Sequence, residues 1–562
     1  MSSQESDSEI DDAAEHAASM KRLKAKDPDF YEFLKQNDKD LLNFENSDNE
    51  DQEEDDEEDD SNQMDDEEDE EAEEEEERSV LSSQKLSYIK SHIREEPTVK
   101  LCKELISAFK SAVHQAEGTD SKVDMSHSEH FNDIIKLCLI DLAPALMKVL
   151  NLDPSKKKVD PTKSKLWKKL QMSIKQYLID MLKMFSIMKD ASVLTLLLKH
   201  TVHLVPFYSV FIKLCRNLVK KMISFWCSEE ETIRVVSLII IVRSTKTFSN
   251  EYLGQVMKEM YFSYIKNTKF TSASTWPMIN FMKRSLAEVY ALNPDMAYEH
   301  AFIYIRQMAI HLRNAITTKK KESFQTVYNW QFVHCVLFWG HLLCRLQEHE
   351  AIKSLIYPLV QTTIGAINLI PTARYVPLRF HLVKALMHIS EMTSTFTPTL
   401  PFILDVLKVT DFNKKSNFSI KPVEFSCALK VTKSQLSEAG FKDACISEVC
   451  SVTMDYLKIY ASSIGFPELA LPAVIQIKSF IKTCKVSKYN QQLKAVLQKI
   501  EENSLFITEK RKSVSFGISD NDHVKRWEDG LRNQGTPLTV SKKVPREVEA
   551  EEQPKKKKKV SK

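Results

Sequence analysis

The strongest constraint on the fold is a helical pattern of apolar residues that continues from about residue 80 to about residue 408. It is clearest in residues 355–407, where two apolar runs at helix spacing meet at a proline-bounded turn and a third run follows two further prolines. Two helices joined by a short loop form an antiparallel hairpin, which cannot bury both of its faces alone. The stretch therefore predicts helical neighbours on both sides, as in a stacked solenoid.

Candidate helices recur along the whole of this region, with short connectors that carry Pro, Asn, Asp or Ser. Pairs of them repeat at roughly the 40-residue period of HEAT-like arrays, by element spacing and not by sequence similarity. The chain has nine glycines in 562 residues, which leaves few tight turns. We predict an all-α fold: a HEAT/armadillo-like helical-repeat solenoid with a disordered acidic N-terminal tail and a disordered basic C-terminal tail.

The composition changes divide the chain into five segments. Residues 409–431 interrupt the helical rhythm, either as a linker or as an extended segment that lies across the solenoid. The predicted organisation is a disordered acidic tail with a short docking motif at 27–44 (1–79), the α-helical solenoid (80–408), an extended linker (409–431), the C-terminal helices of the solenoid (432–504), and a largely disordered tail with a basic cluster and one short helix around 523–531 (505–562).

The net charge of −1 hides a strong division of charge between the two parts of the chain. Residues 1–77 carry six Lys or Arg and 35 Asp or Glu, a balance of −29, which leaves +28 for residues 78–562. A basic body with an acidic tail suggests nucleic-acid or histone-like partners. The alternative, compatible with the first, is that the tail is a solvated, self-repelling segment that keeps the body soluble.

Residues 27–44, DPDFYEFLKQNDKDLLNF, form an amphipathic island in a polar region. Asp27 and Pro28 are typical of a helix start, with Asp as the N-cap and Pro at the first helical position. Such an island usually docks onto a partner or onto the chain's own body; the alternative is an incidental helix. The residues that we predict to make the contact are Phe30, Tyr31, Phe33 and Leu34.

Clusters of basic residues suggest two further functions. The run Lys555, Lys556, Lys557, Lys558 and Lys559 follows Pro554 and predicts a nuclear-import signal, with a plain solubility tail as the alternative. Basic segments in the helical region would attract phosphate backbones without sequence preference, although any helical surface carries lysines. These segments are 167–169, 213–221, 266–269 and 319–321.

No set of residues points to catalysis, a metal or a cofactor. The chain lacks G-x-x-x-x-G-K-[ST], G-x-G-x-x-G and H-E-x-x-H patterns. Its ten cysteines include no C-x-x-C pair, which indicates reduced thiols in an intracellular protein. Cys335 lies beside His334 in an apolar helix, where a buried thiol is the better interpretation. The aliphatic run 235–242 is too short to span a bilayer, so we expect no membrane contact. Because the motifs of catalytic and cofactor sites are also lacking, we expect no enzyme and no cofactor.

Three long blocks resemble the nucleolar complex protein 2 family. They are the motif at 27–44, the region 271–315 with its continuation at 327–343, and the stretch 355–390, which reads LIYPLVQTTIGAINLIPTARYVPLRFHLVKALMHIS. The resemblance covers roughly residues 200–480 and the detached N-terminal motif. It implies a helical-repeat assembly factor for the large (60S) ribosomal subunit, located in the nucleolus and nucleoplasm.

The resemblance also implies the partners. Family members associate with preribosomal particles, which contain pre-rRNA, and form alternative complexes with nucleolar complex proteins 1 and 3. Some members are linked to histone binding and transcription repression. The family supplies no catalytic residues.

Within the stretch 355–390, the turn Pro371–Pro377 is stiffened by its two prolines. It is predicted to display Arg374 and Tyr375 for partner contact; the alternative is that Tyr375 caps the hairpin core.

Two other classes of function compete with the assembly factor. The first is a chromatin or histone-binding transcription regulator that acts through the acidic run 45–77, in which 24 of 33 residues are Asp or Glu. The second is a helical-repeat nuclear transport receptor. Such receptors are usually longer and acidic throughout, so the basic body and the lysine run at 555–559 count against this alternative.

Overall fold

The computed structural model describes residues 83–117, 128–153, 159–228, 230–246, 250–417, 423–517 and 519–540. Across these ranges the chain is all-α, and pairing of extended backbone is limited to an isolated bridge between Asn417 and Glu438. The all-α prediction is confirmed. The N-terminal motif at 27–44, the acidic run and the lysine run at 555–559 lie outside the described residues.

Helices make up most of the described residues in the first part of the chain. Residues 128–149 form one nearly continuous helical segment, interrupted by a π-helical turn at Cys138–Leu142. The helices are α1 (Ser83–Glu95), α2 (Val99–Glu117), α3 (Ser128–Leu137), α4 (Ala143–Val149), α5 (Trp167–Ile187), α6 (Ala191–Tyr208), α7 (Ile212–Ser228), α8 (Glu231–Thr245), α9 (Asn250–Asn267), α10 (Trp276–Tyr290) and α11 (Pro294–Thr318).

The second part contains the stretch that first indicated a solenoid. Its hairpin forms as predicted, from α15 and α16 joined by a short turn. The helices are α12 (Lys321–Gln325), α13 (Trp330–Arg345), α14 (Glu350–Ser354), α15 (Ile356–Leu369), α16 (Val376–Thr393), α17 (Leu400–Leu404), α18 (Val406–Val409), α19 (Ala439–Ile459), α20 (Phe466–Thr483), α21 (Ser487–Arg511), α22 (Asn521–Gln534) and α23 (Pro537–Val540).

The helices pack against neighbours that are close along the chain. One row of contacts runs from α6 to α8, α10, α13, α16, α19 and α21, each helix touching the next. A second set of contacts links α5 with α7 and α7 with α9. Layers of successive helices in which each contacts only nearby ones are typical of helical-repeat arrays. The packing is therefore consistent with the predicted solenoid.

An aromatic core joins α9, α10, α11 and α13. Trp339 is fully buried, and its indole N–H donates a hydrogen bond to the Tyr261 hydroxyl at 3.1 Å. The rings of Tyr304 and Tyr290 lie 5.8 and 5.7 Å from the Trp339 ring, the first stacked and the second edge-on. Such pairs add stability beyond the burial of their area. They hold four consecutive large helices of the array in one packed unit.

Helix α6 continues through Pro206. Proline has no N–H, so the carbonyl of Val202, four residues earlier, loses its helical partner. Arg243 of α8 donates a hydrogen bond to this carbonyl at 3.4 Å. The contact between α6 and α8 thus satisfies the backbone group that Pro206 leaves unpaired.

The segment from residue 505 was predicted to be a largely disordered tail. In its described residues, 505–517 and 519–540, the structure has more helix than that prediction. Helix α21 extends to Arg511, and α22 and α23 follow it; the short helix expected at 523–531 lies within α22. Glu528 accepts hydrogen bonds from the Ser463 hydroxyl (2.9 Å) and the Ile464 amide (2.8 Å), and Leu531 is buried. The polar composition of α22 concealed contacts that it makes with residues more than sixty positions away.

Among the described helices, none combines the length and apolar character that crossing a membrane requires.

Candidate partner-binding surfaces

The turn that joins α15 to α16 was the main sequence-based candidate for a partner contact. Ala373–Tyr375 form a 3-10 turn, and Pro377 occupies the first turn of α16, where its fixed φ favours a helix start. Pro371 is exposed, but Arg374 and Tyr375 are only half-exposed. The turn therefore displays only part of these two side chains to solvent.

Tyr375 belongs to a tightly bonded junction between helices. Its ring packs edge-on against Tyr328 at 4.7 Å. The Tyr328 hydroxyl donates to the Ala366 carbonyl at 3.0 Å and accepts from the Ile370 amide at 2.9 Å. Burial raises the pKa of Tyr328 to about 12, so its hydroxyl stays protonated as this donor role requires. These contacts match the alternative in which Tyr375 covers the end of the hairpin core.

Arg374 is held by the segment that follows the hairpin. Its carbonyl accepts a hydrogen bond from the Val431 amide at 2.9 Å, and its guanidinium lies 6.0 Å from the centre of the Tyr375 ring. A cation over an aromatic face at this distance is weakly attracted to it. Contact of Arg374 and Tyr375 with a partner remains a prediction, restricted to the parts of both side chains that reach solvent.

The described residues of 409–431 do lie across the helices, as the sequence allowed. The Leu378 amide of α16 donates to the Leu429 carbonyl at 3.2 Å, and Phe425 stacks on Phe380 at 6.1 Å. Nε2 of His381 lies 3.0 Å from the Phe425 carbonyl, and burial lowers the pKa of this ring. The segment therefore covers the side of α16 that periodicity alone would have left in water.

The polar side of α16 is covered from a second direction. Arg379 is buried, and its Nη1 lies 3.3 Å from a carboxylate oxygen of Asp405, at the junction of α17 and α18. Lys384 pairs with Glu448 of α19. Local periodicity does not reveal these pairs, because the acidic partners are 26 and 64 residues away in the sequence.

Cys335 and His334, which are adjacent in the sequence, have surroundings that suit a structural role and not a catalytic one. The Cys335 thiol lies 3.4 Å from the Tyr261 hydroxyl, and burial raises the pKa of Cys335 to about 12. Burial lowers the pKa of the neighbouring His334 to about 3, and its Nε2 lies 3.0 Å from the Thr271 hydroxyl. A protonated thiol and a neutral imidazole, each with a different partner, do not form a nucleophile and base. In the described ranges, no three His, Cys, Asp or Glu side chains converge as metal ligands would.

Helices α20 and α21 present an exposed apolar surface that the sequence did not reveal. Leu471 and Ile475 are 54% and 59% exposed, Pro472 is exposed beside them, and Leu505 of α21 is 69% exposed. We refer to these four residues as the apolar strip. A contiguous exposed apolar surface on a folded chain commonly marks an interaction site.

Two ion pairs between the helices bound the apolar strip. Lys478 pairs with Glu501 at 2.7 Å, and Glu468 pairs with Arg511 at 2.5 Å. These pairs fix an antiparallel register in which Leu505 lies between them, level with the exposed residues of α20. The signal in the sequence was the spacing of Leu471 and Ile475, four residues apart, but it could not show that α21 leaves this side of α20 uncovered.

The basic segments named from the sequence are exposed. Lys168 and Lys169 begin the solvent face of α5, the segment 213–221 supplies that of α7, and Lys266, Lys269 and residues 319–321 lie at helix ends. The described part of the chain is thus an all-helical array whose candidate sites are open surfaces. Helical-repeat arrays commonly offer extended surfaces of this kind for binding.

Comparison with known proteins gives the family. A sequence model described as the Noc2p family matches residues 251–544. The chain is 40% identical to nucleolar complex protein 2 of Drosophila melanogaster, across 93% of this chain and 74% of that protein. It is 30% identical to an uncharacterized NOC2 family protein of Schizosaccharomyces pombe, across 96% and 76% of the two chains. It is also 30% identical to nucleolar complex-associated protein 2 of Arabidopsis thaliana, across 92% and 70%. The chain belongs to the Noc2p family, as the resemblance predicted.

Proposed function

We propose that this protein is a non-enzymatic assembly and transport factor for precursors of the large (60S) ribosomal subunit. It acts in the nucleolus and nucleoplasm as a helical scaffold that binds a partner nucleolar complex protein and preribosomal particles. Membership of the Noc2p family carries the proposal, since four of the relatives are named nucleolar complex proteins, their homologues or nucleolar complex-associated proteins. The row of helices from α6 to α21 supplies the long surface that a scaffold needs.

The partners follow from the same assignment. Nucleolar complex proteins 1 and 3 are the alternative protein partners, and the preribosomal particle, through its pre-rRNA, is the cargo. For the protein partner we favour an amphipathic helix lying on the apolar strip. Two antiparallel helices leave a groove that suits such a helix, and an apolar centre with a charged rim is the usual arrangement of a protein interface.

The assembly function is tested by sedimentation and by depletion. The full chain, carrying a small tag, should sediment with precursors of the large subunit on a sucrose gradient. Its depletion should reduce the conversion of labelled pre-rRNA into the large-subunit rRNA. If the protein is found only in free fractions, and pre-rRNA processing is normal after depletion, the assembly function is wrong.

The partner surface is tested by substitutions on the apolar strip. Leu471→Asp with Ile475→Asp should reduce co-purification of the partner protein at least about tenfold, because charge is placed where apolar surface is buried. Phe302→Asp with Ile316→Asp is a matched control, since both residues are exposed on α11. Retention of the partner by the α20 variant would exclude the strip as its binding surface.

The turn at 371–377 is tested separately. Arg374→Ala with Tyr375→Ala should weaken partner binding while the circular dichroism melt stays unchanged, if these residues contact the partner. Loss of the fold would support their structural role at the Tyr328 junction. The outcome also shows whether the partner reaches from the apolar strip to the hairpin.

Chromatin binding through the acidic run is the second candidate function, and the 24 acidic residues in positions 45–77 favour it. Acidic segments of this kind bind basic proteins such as histones. Deletion of 45–77 separates the two functions. If histone binding and viability are both lost, chromatin regulation is the main function; if growth and ribosome production continue, the run is accessory. Measurable affinity for the nuclear transport GTPase would instead support a transport receptor.

A further inference from the structure

The region from α5 to α7 carries a strong excess of positive charge. Residues 161–228, all of them described, contain twelve Lys or Arg and two Asp or Glu. Asp180 is buried and accepts a hydrogen bond from Gln176 at 3.0 Å. Asp190 caps α6 by accepting from the Ser192 amide at 2.7 Å. Both carboxylates thus accept hydrogen bonds within the fold, and neither forms an ion pair with Lys168, Lys175, Lys213 or Lys220.

The exposed cations form two rows. On each helix they are three, four or seven residues apart, which places them on one face and makes each row about 10 Å long at 1.5 Å per residue. Exposed apolar side chains accompany them, since Met172 is 71% and Ile212 is 55% exposed. The cations are Lys168 and Lys175 on α5, and Lys213, Arg216 and Lys220 on α7.

A buried aromatic group holds the two rows side by side. Trp167, the first residue of α5, lies 6.4 Å from the Phe207 ring at the end of α6 and 6.2 Å from the Phe211 ring before α7. Trp167 is 5% exposed, so this contact is part of the core. The helices α5 and α7 also contact each other directly. Lys168 on one helix and Lys213 on the other are thereby held at adjacent helix starts.

The cations of α5 and α7 differ from those of the C-terminal helices in their pairing. Among the described residues, Lys168, Lys175, Lys213 and Lys220 have no carboxylate within ion-pair distance. By contrast, Lys384, Lys458, Lys478 and Lys488 pair with Glu448, Asp455, Glu501 and Asp443. The four lysines of the C-terminal helices are thus matched by carboxylates within the fold, whereas Lys168, Lys175, Lys213 and Lys220 are available to an external anion.

We propose, on the basis of the assembly function above, that the α5–α7 face binds the phosphate backbone of double-helical RNA in the preribosomal particle. Unpaired cations at helical spacing neutralise phosphates without reading sequence. Proteins that hold single strands add exposed aromatic rings on which bases stack. Every aromatic ring of α5 and α7 is buried, however, so this face contacts the backbone of a duplex.

The proposal is tested with the purified full chain and a fluorescent 20-base-pair RNA duplex of arbitrary sequence. The test variant carries Lys168→Gln, Lys175→Gln, Lys213→Gln and Lys220→Gln. The control variant carries Lys384→Gln, Lys458→Gln, Lys478→Gln and Lys488→Gln, which removes the same charge from ion-paired lysines. Anisotropy titrations at several salt concentrations give the affinity and its salt slope, and circular dichroism establishes that both variants are folded.

The test variant should bind the duplex at least about tenfold more weakly, and its salt slope should fall by about three to four, one per lost phosphate contact. The control should stay within about twofold of the unchanged chain. Equal losses of RNA affinity in both variants would show that only the net charge matters and would overturn the proposal. No loss of affinity in either variant would also overturn it. A variant that keeps its RNA affinity but no longer binds polyglutamate would assign the face to an acidic protein. None of these results alters the sedimentation test, so the assembly function is judged independently.

Discussion

At the scale of single residues, burial decides the chemistry of the histidines. His200 and His203 are three residues apart on α6, yet His200 is buried and His203 is exposed. Nε2 of His200 lies 2.8 Å from the Tyr177 hydroxyl, and burial lowers the pKa of this ring to about 4. The environment of His200 is set by α5, which no local pattern in α6 records. The ring is therefore neutral at physiological pH and contributes to the core.

Buried histidines should make the fold sensitive to mild acid. The unfolded chain protonates histidine below about pH 6.5, whereas the folded state holds His200 neutral down to about pH 4. Its stabilising contribution is complete above pH 6.5 and declines as the pH falls toward the folded value. At pH 5.5 the loss is about 1.4 kcal/mol for such a group. We expect a lower Tm at pH 5.5 than at pH 7.5 in circular dichroism melts.

Two single variants test whether His200 is responsible for this pH dependence. His200→Gln keeps a hydrogen-bonding group near Tyr177 but cannot titrate, so it should reduce the difference in Tm between the two pH values. His203→Gln changes an exposed ring and should leave that difference as it was. An unchanged pH dependence in His200→Gln would show that other groups determine the acid sensitivity.

At the scale of helices, close approach between α13 and α16 depends on a glycine. A β-carbon at Gly340 would lie 3.1 Å from Cδ1 and 3.3 Å from Cγ1 of Ile389. Ile389 is fully buried and β-branched, so its side chain has few alternative rotamers. Glycine lowers helix propensity, but here it permits the tight contact of the two helices at the centre of the array.

Gly340→Ala should therefore destabilise the fold by about 1–3 kcal/mol through overpacking. Ile389→Val removes the nearest atom and should restore part of the loss in the double variant. Gly530→Ala is the matched control: it lies in α22 with open space around its β-carbon position, so alanine should be neutral or stabilising by about 0.5–1 kcal/mol. Urea denaturation measures the unchanged chain, the three single variants and the double variant, and additive effects of Gly340→Ala and Ile389→Val would contradict direct contact.

At the scale of the whole molecule, charge is divided along the chain. Residues 1–77 carry −29 and residues 78–562 carry +28. Within the described part, Lys384, Lys478 and Lys488 pair with carboxylates, while Lys168, Lys175, Lys213 and Lys220 on α5 and α7 do not. The lysines of the helical array therefore differ in whether the fold itself neutralises them. The overall charge alone does not reveal this difference in pairing.

The lysine run at 555–559 is predicted to direct the chain into the nucleus. Replacing Lys555–Lys559 by glutamine should shift a fluorescent fusion of the full chain toward the cytoplasm, because the import machinery recognises clustered positive charge. Fusing residues 554–560 to a cytoplasmic fluorescent protein should move that protein into the nucleus. Unchanged nuclear accumulation of the glutamine variant would show that import depends on another segment or on a partner.

Local spacing in the sequence determined most of the helices. Apolar residues at helical intervals located α15 and α16, and Asn293-Pro294 marked the start of α11, where the Asn293 side chain accepts a hydrogen bond from the Met296 amide at 3.3 Å. These signals are readable because a helix is stabilised by groups three or four residues apart. The all-α class follows from the sequence in the same way, whereas the family membership follows from the long blocks at 27–44, 271–315, 327–343 and 355–390.

The tertiary structure alone decided which surfaces are open. It partly covered the turn at Arg374 and Tyr375 through contacts with Val431 and Tyr328. It also left Leu471 and Ile475 uncovered and placed the start of α5 beside that of α7. It also ordered α22, whose polar composition suggested a tail. Each of these outcomes depends on contacts between residues tens of positions apart, and helical periodicity carries no information about which distant element will cover a given face.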